Sequence, residues 1–86
     1  MKWSEVRNTF PNQIVLVEAL ETSLDHNVRT VNEMAVVSEF HDNMEAWQEY
    51  KKIHKQNPEK ELYIFHTSKD NAEVIEQFFA GIRGRT

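Results

Sequence analysis

The chain has no cysteine, and its 86 residues include only two glycines and two prolines. Without a thiol there is no disulfide, no cysteine nucleophile, no iron–sulfur cluster and no cysteine-bound zinc. The same absence suits a reducing cytoplasm, which is the compartment expected. Both glycines, Gly81 and Gly84, lie near the C-terminus. No glycine-rich loop can therefore cradle a phosphate, and the P-loop and dinucleotide fingerprints are excluded. No uninterrupted apolar run exceeds the four residues of Ile14-Val15-Leu16-Val17, and a bilayer needs about 20. The opening Met1-Lys2-Trp3-Ser4-Glu5 lacks the apolar stretch of a secretory leader. No membrane partner is expected.

Basic charge is scarce in the first part of the chain and commoner in the second. Residues 1–50 carry net −6 and residues 51–86 net +2, giving −4 in all. The basic side chains gather as Lys51, Lys52, Lys55 and Lys60, with Arg83 and Arg85 in the tail. A nucleic-acid binder usually shows a strongly basic face; these lysines read more simply as a solvated helix end, so nucleic acid is not the expected partner.

What is present is periodic apolar character over one domain's length, residues 1–86. Trp3, Val6 and Phe10 fall on one helical face, and Pro11 pushes the preceding residue out of the α region, so a short helix is predicted over 3–9. Gln13 to Leu20 is crowded with β-branched residues and apolar on both sides, which suits a central strand. Glu21–Asn27 reads as a polar loop. Val28–Ser38 is a second strand, antiparallel to the first because the connection is too short for a crossover. Its alternation puts Val31, Ala35 and Val37 on one face, and Met34 and Val36 on the other. Asp42 caps a helix near 42–56, with Met44, Trp47, Tyr50 and Ile53/His54 at helical spacing and lysines in the last turns, where cations suit the dipole. That aromatic face is expected to cover the sheet. Leu62-Tyr63-Ile64-Phe65 is a third strand. Residues 73–80 fit either a helical stripe or a strand paired with the third through a turn at Ser68–Asn71.

Trp3-Ser4-Glu5-Val6, then Phe10-Pro11-Asn12-Gln13 and a Val-rich strand, together with Phe65-His66-Thr67-Ser68 and Gly81-Ile82-Arg83, resemble a group of short bacterial proteins of unassigned activity. The resemblance covers both ends of the chain. It implies that the last segment is a strand running into Gly-Ile-Arg, which favours a strand over 73–80. This chain departs from the group in carrying Ile14 where Trp is frequent. No catalytic residue is implied.

Chemistry-bearing residues are scattered. His26, His41, His54 and His66 show no His-x-x-x-His spacing, and zinc needs three or four converging ligands, so no metal is expected. His66-Thr67-Ser68 brings an imidazole beside two hydroxyls, but neighbours on an extended chain point to opposite faces, and the hydroxyls read as turn formers. Glu18 and Glu33 lie within strands that could half-bury them. Glu18, Glu33 and His66 are the candidate polar site; no cofactor is expected. Tyr63, Phe65, Phe78 and Phe79 exceed what one small core needs, and mark a candidate interaction surface.

The expected architecture is α+β: a small antiparallel sheet of three to four strands packed by one main helix, in the order α-β-β-α-β-(β). The expected role is a non-catalytic protein-interaction or dimerising domain in the cytoplasm. The rival is a small-molecule binder or small enzyme with a pocket between helix 42–56 and the sheet.

Overall fold

The computed structural model describes residues 1–76. The elements are α1 (Trp3–Thr9), β1 (Ile14–Asp25), β2 (Val28–Phe40), α2 (Asn43–Gln56), β3 (Leu62–His66) and β4 (Glu73–Ile75). Every strand is antiparallel to its neighbour, in the order β3-β1-β2-β4. This is the α+β arrangement expected, with the doubly apolar β1 inside the sheet.

Two helices share the work of covering it. Val15, Val17, Val31, Met34 and Phe65 form one core with Trp3 and Val6 of α1 and with Ala72. Ile14, Leu16 and Leu62 alternate with those residues and are buried on the opposite face, where α2 packs against β3, β1 and β2. All four side chains from Ile14 to Val17 are buried. That is why β1 reads as a continuous apolar run.

The hairpin of β1 and β2 departs from expectation. Its loop is only His26 and Asn27, both in the left-handed region at φ 50° and 72°, the geometry that two-residue hairpins favour. Residues 21–25 continue the strand. Their polarity reports exposure beyond the helices, not a loop. The pairing also shifts register at Leu20 in β1 and at Asn32 and Val37 in β2. Each bulge inserts a residue and reverses the alternation that follows. Val31 and Met34, three apart and assigned to opposite faces from sequence, thus enter the same core, while Leu20 and Val37 are turned out to solvent.

Asp42 caps α2 as expected, its carboxylate accepting from the Met44 N–H at 2.9 Å. The face that covers the sheet is different. Ala46 is fully buried and Tyr50 and Ile53 half-buried, whereas Met44 is 60% and Trp47 47% exposed. The small Ala46 permits the close approach of helix to sheet, and that rotates the larger Trp47 outward.

β4 is a strand over Glu73–Ile75, but it pairs with β2 and not with β3. The chain leaving β3 is led alongside α1: Trp3 Nε1–H donates to Lys69 O at 2.9 Å, and the Val31 N–H to Ala72 O at 2.9 Å. It therefore reaches the far edge of the sheet instead of turning back. The rest of the expected 73–80 strand, with Phe78 and Phe79, lies outside the described residues.

Candidate functional site

Phe10-Pro11-Asn12-Gln13 and Phe65-His66-Thr67-Ser68 meet at Thr67. This side chain is 3% exposed, and all its polar groups are engaged. Its N–H donates to Gln13 O at 2.8 Å. Its hydroxyl donates to Phe10 O at 2.7 Å and accepts from the Gln13 N–H at 2.9 Å. Its carbonyl accepts from Arg7 Nε at 2.9 Å. Thr67 joins the end of β3 to the segment between α1 and β1, so its hydroxyl is structural and unavailable as a nucleophile. Its local alternation was legible, but the bond to Phe10, 57 positions away, carries no sequence signal.

His66 instead meets Ser68, on the same side of the chain: Nδ1 lies 2.8 Å from the Ser68 hydroxyl and accepts the Ser68 N–H at 3.1 Å. This is the hydroxyl–imidazole pair that adjacency reasoning, fixed on Thr67, passed over. Among the described residues no carboxylate orients the imidazole, and the pair is exposed. Nucleophilic catalysis needs an oriented base, so the pair reads as a turn.

The three candidate polar residues do not converge. Glu18 sits opposite Leu62 and Ala35 and lies 3.5 Å from Lys60 Nζ. Glu33, opposite Glu21, pairs with Lys2 Nζ at 2.6 Å. That contact holds its carboxyl below the ordinary range, the hydrogen bond from Lys2 being the main cause. His66 is at the other end of β3, opposite Ile14. Arg29 bridges the strands, donating to Thr22 Oγ1 at 2.9 Å and gripping both carboxylate oxygens of Glu76. The Tyr63 hydroxyl donates to Glu61 at 2.6 Å; burial, with Glu61 adding to it, pushes that phenol's pKa up. Among the described residues no three His, Asp or Glu side chains could hold a metal ion.

Two open hollows flank α1. One, of about 520 Å³, is lined by Ser4, Arg7, Asn8, Pro11, Asn12, Thr67 and Ser68; the other involves Trp3, Val31 and Asp70. Neither is lined by a residue of α2, so neither is the cleft between that helix and the sheet that a small-molecule role was expected to use. Arg7 is already committed to Thr67 and lies 3.8 Å from Asp70.

The edges of the sheet differ more sharply. The outer edge of β2 is interrupted by two bulges and covered in pieces: β4 pairs with residues 28–30, Ala72 bonds to Val31, and Met1 exchanges backbone bonds with Met34. β3 has none of this. Its pairing with β1 is unbroken, and Ala19 N–H to Glu61 O and Thr67 N–H to Gln13 O show that 61, 63, 65 and 67 aim their backbone groups inward. Leu62, Ile64 and His66 then aim theirs outward. Although His66 O accepts the Lys69 N–H at 3.1 Å in the turn after β3, no described strand pairs with this edge. It carries no lysine, proline or bulge, the usual means of blunting an edge.

Of the candidate interaction residues, Phe65 is 4% exposed and packs edge-on against Trp3 at 5.4 Å. Its ring belongs to the core and only its position in β3 serves a surface. Tyr63 is half-buried and stacks on Phe65 at 5.9 Å. The apolar surface that sequence reading missed is on α2. There Trp47 stacks on Tyr50 at 5.1 Å, Tyr50 on His54 at 5.7 Å, and Lys51 Nζ sits 5.9 Å from the Trp47 ring. The spacing of 47, 50 and 54 shows the row in the sequence, but not which side of it meets water.

No protein-family model, curated protein or solved structure matches the chain. Among the described residues no helix is long and apolar enough to cross a membrane.

Proposed function

We propose that this chain is a non-catalytic protein-interaction domain that acts as a homodimer, built on the outer edge of β3. One observation carries the reading: among the described residues, no strand pairs with the outer edge of the five-residue, proline-free β3, where Leu62 and Ile64 present their backbone groups. Such an edge is a template for another strand. The dispersal of the ionisable side chains into separate pairs supports a binding role over a chemical one. The cytoplasm is the proposed location, since nothing in the fold depends on a disulfide.

Light scattering over a wide range of protein concentration tests this. The mass is expected to rise from that of one chain, 10.2 kDa, to that of two. Ile64→Pro removes an outward N–H and leaves the β1 pairing intact, as proline is tolerated on edge strands; it is expected to stay monomeric with an unchanged circular dichroism spectrum. Trp47→Ala, which leaves the strand untouched, is expected to shift the transition to higher concentration. A mass of one chain at every concentration would overturn the proposal.

A further inference from the structure

The open edge of β3 also constrains how a second copy can sit on it. In an antiparallel pair, the residues that exchange N–H and C=O bonds are those whose backbone groups point at each other. On β3 these are Leu62, Ile64 and His66, the His66 carbonyl keeping one lone pair for the second strand while the other accepts the Lys69 N–H at 3.1 Å. A homodimer closed by a two-fold axis makes the contact self-complementary, so residue i meets j and j meets i. Centring the axis on Ile64 pairs the whole strand: Ile64 with its own copy, and Leu62 with His66 of the other chain. Centring it on Tyr63 or Phe65 leaves one end of the strand unpaired. With Ile64 on the axis, Tyr63 stands opposite Phe65 of the second copy on the α1 face. Cross-strand aromatic pairs of this kind stabilise a sheet.

A strand of five residues covers less than the roughly 800 Å² per partner of a standard interface. Helix α2 supplies the second layer. β2 and β3 are both antiparallel to β1 and therefore parallel to each other, and α2 connects them. Such crossovers are right-handed. In that hand, with Ala46, Tyr50 and Ile53 toward the sheet, the flank of α2 bearing Trp47 and His54 lies on the side of β3, next to its open edge. A two-fold axis normal to the sheet brings this flank beside the same flank of the second copy, with the helices antiparallel. The exposed Trp47 and Met44 supply the apolar area that the strand alone lacks.

We infer that two copies join in an antiparallel β3–β3 pair centred on Ile64, continuing the sheet across the axis, with the Trp47–Tyr50–His54 flanks of the two α2 helices packed together over the joint. The inference rests on the homodimer reading above and adds its register and its second layer.

The absence of cysteine makes the test clean, because a single introduced thiol reports a single contact. Residues facing each other in a hydrogen-bonded antiparallel pair have Cα atoms about 5.5 Å apart, within disulfide reach. Ile64→Cys in the full chain is therefore expected to form a covalent dimer under mild oxidation. Val37→Cys, exposed on β2 away from the joint, is expected to form no covalent dimer under the same conditions. Trp47→Ala is expected to raise the dimer dissociation constant about tenfold or more, as a buried aromatic anchor would. If light scattering shows a dimer but Ile64→Cys does not cross-link, or Tyr63→Cys links to itself more readily, the register is overturned while the homodimer stands. If Trp47→Ala leaves the dissociation constant unchanged, the helix layer is overturned. If no dimer forms at any concentration, the homodimer reading fails, and this inference with it.

Discussion

The two tryptophans are held in opposite ways. Trp3, on a helix of seven residues, is 8% exposed; its indole N–H is bonded to Lys69 O and its ring meets the edge of Phe65. Trp47, on a helix of fourteen residues, is 47% exposed and stacks on Tyr50 of its own helix. The short helix is thus tied into the core through its ring and through Arg7, while the long one approaches the sheet over Ala46 and turns its largest side chain away. A helix too short to be stable alone needs such tertiary bonds. The longer one can spare a face. The difference separates what holds this fold together from what it has available for contact.

That contrast can be broken most forcefully at Trp3. Trp3→Ala is expected to cost about 3–5 kcal/mol in urea unfolding, a large part of the roughly 4–13 kcal/mol expected for a chain of this size. Trp47→Ala, measured in dilute solution, is expected to stay within about 0.5 kcal/mol of the parent. Equal losses at the two sites would erase the distinction between them. The next effect is at the junction behind α1. Thr67→Val keeps the shape but leaves Phe10 O and the Gln13 N–H without their partner, at a cost of about 1–3 kcal/mol; Ser68→Ala, on the exposed side of the same turn, is expected to be nearly neutral.

The smallest effect concerns the tether at the start of α1. Lys2 holds the Glu33 carboxyl below its ordinary value of 4.5. A carboxylate with a lowered folded-state pKa adds stability above its unfolded pKa, and that stability is lost as pH falls through the folded value. Glu33→Gln is therefore expected to be slightly less stable than the parent at neutral pH and equal to it in strong acid. A gap that widened on acidification would contradict the sign of the effect.

Much of the fold was legible because local rules and burial agreed. Pro11 ends α1, Asp42 caps α2, and four consecutive buried side chains put β1 inside the sheet. The misreadings share a cause: side-chain character was used where backbone geometry decides. Polar Thr22 and Ser23 are strand residues because the hairpin extends past its helices. Bulges at Leu20, Asn32 and Val37 reassigned faces that simple alternation had fixed. The row of rings on α2 was visible, but the depth of Ala46 that turns Trp47 outward depends on the opposing sheet. Likewise, Thr67 looked like a turn hydroxyl, and only the fold brings it to Phe10 and Gln13. The open edge of β3 needed the strand order, which no local pattern contains.

Fluorescence of the two tryptophans across a dilution series tests the division most directly. Trp47→Phe leaves Trp3 as the only tryptophan, and its emission is expected to be independent of concentration. In the parent chain the emission is expected to move to longer wavelength on dilution, as Trp47 is released from the second copy into water. A parent spectrum that does not change with concentration, or a shift that persists in Trp47→Phe, would contradict the account.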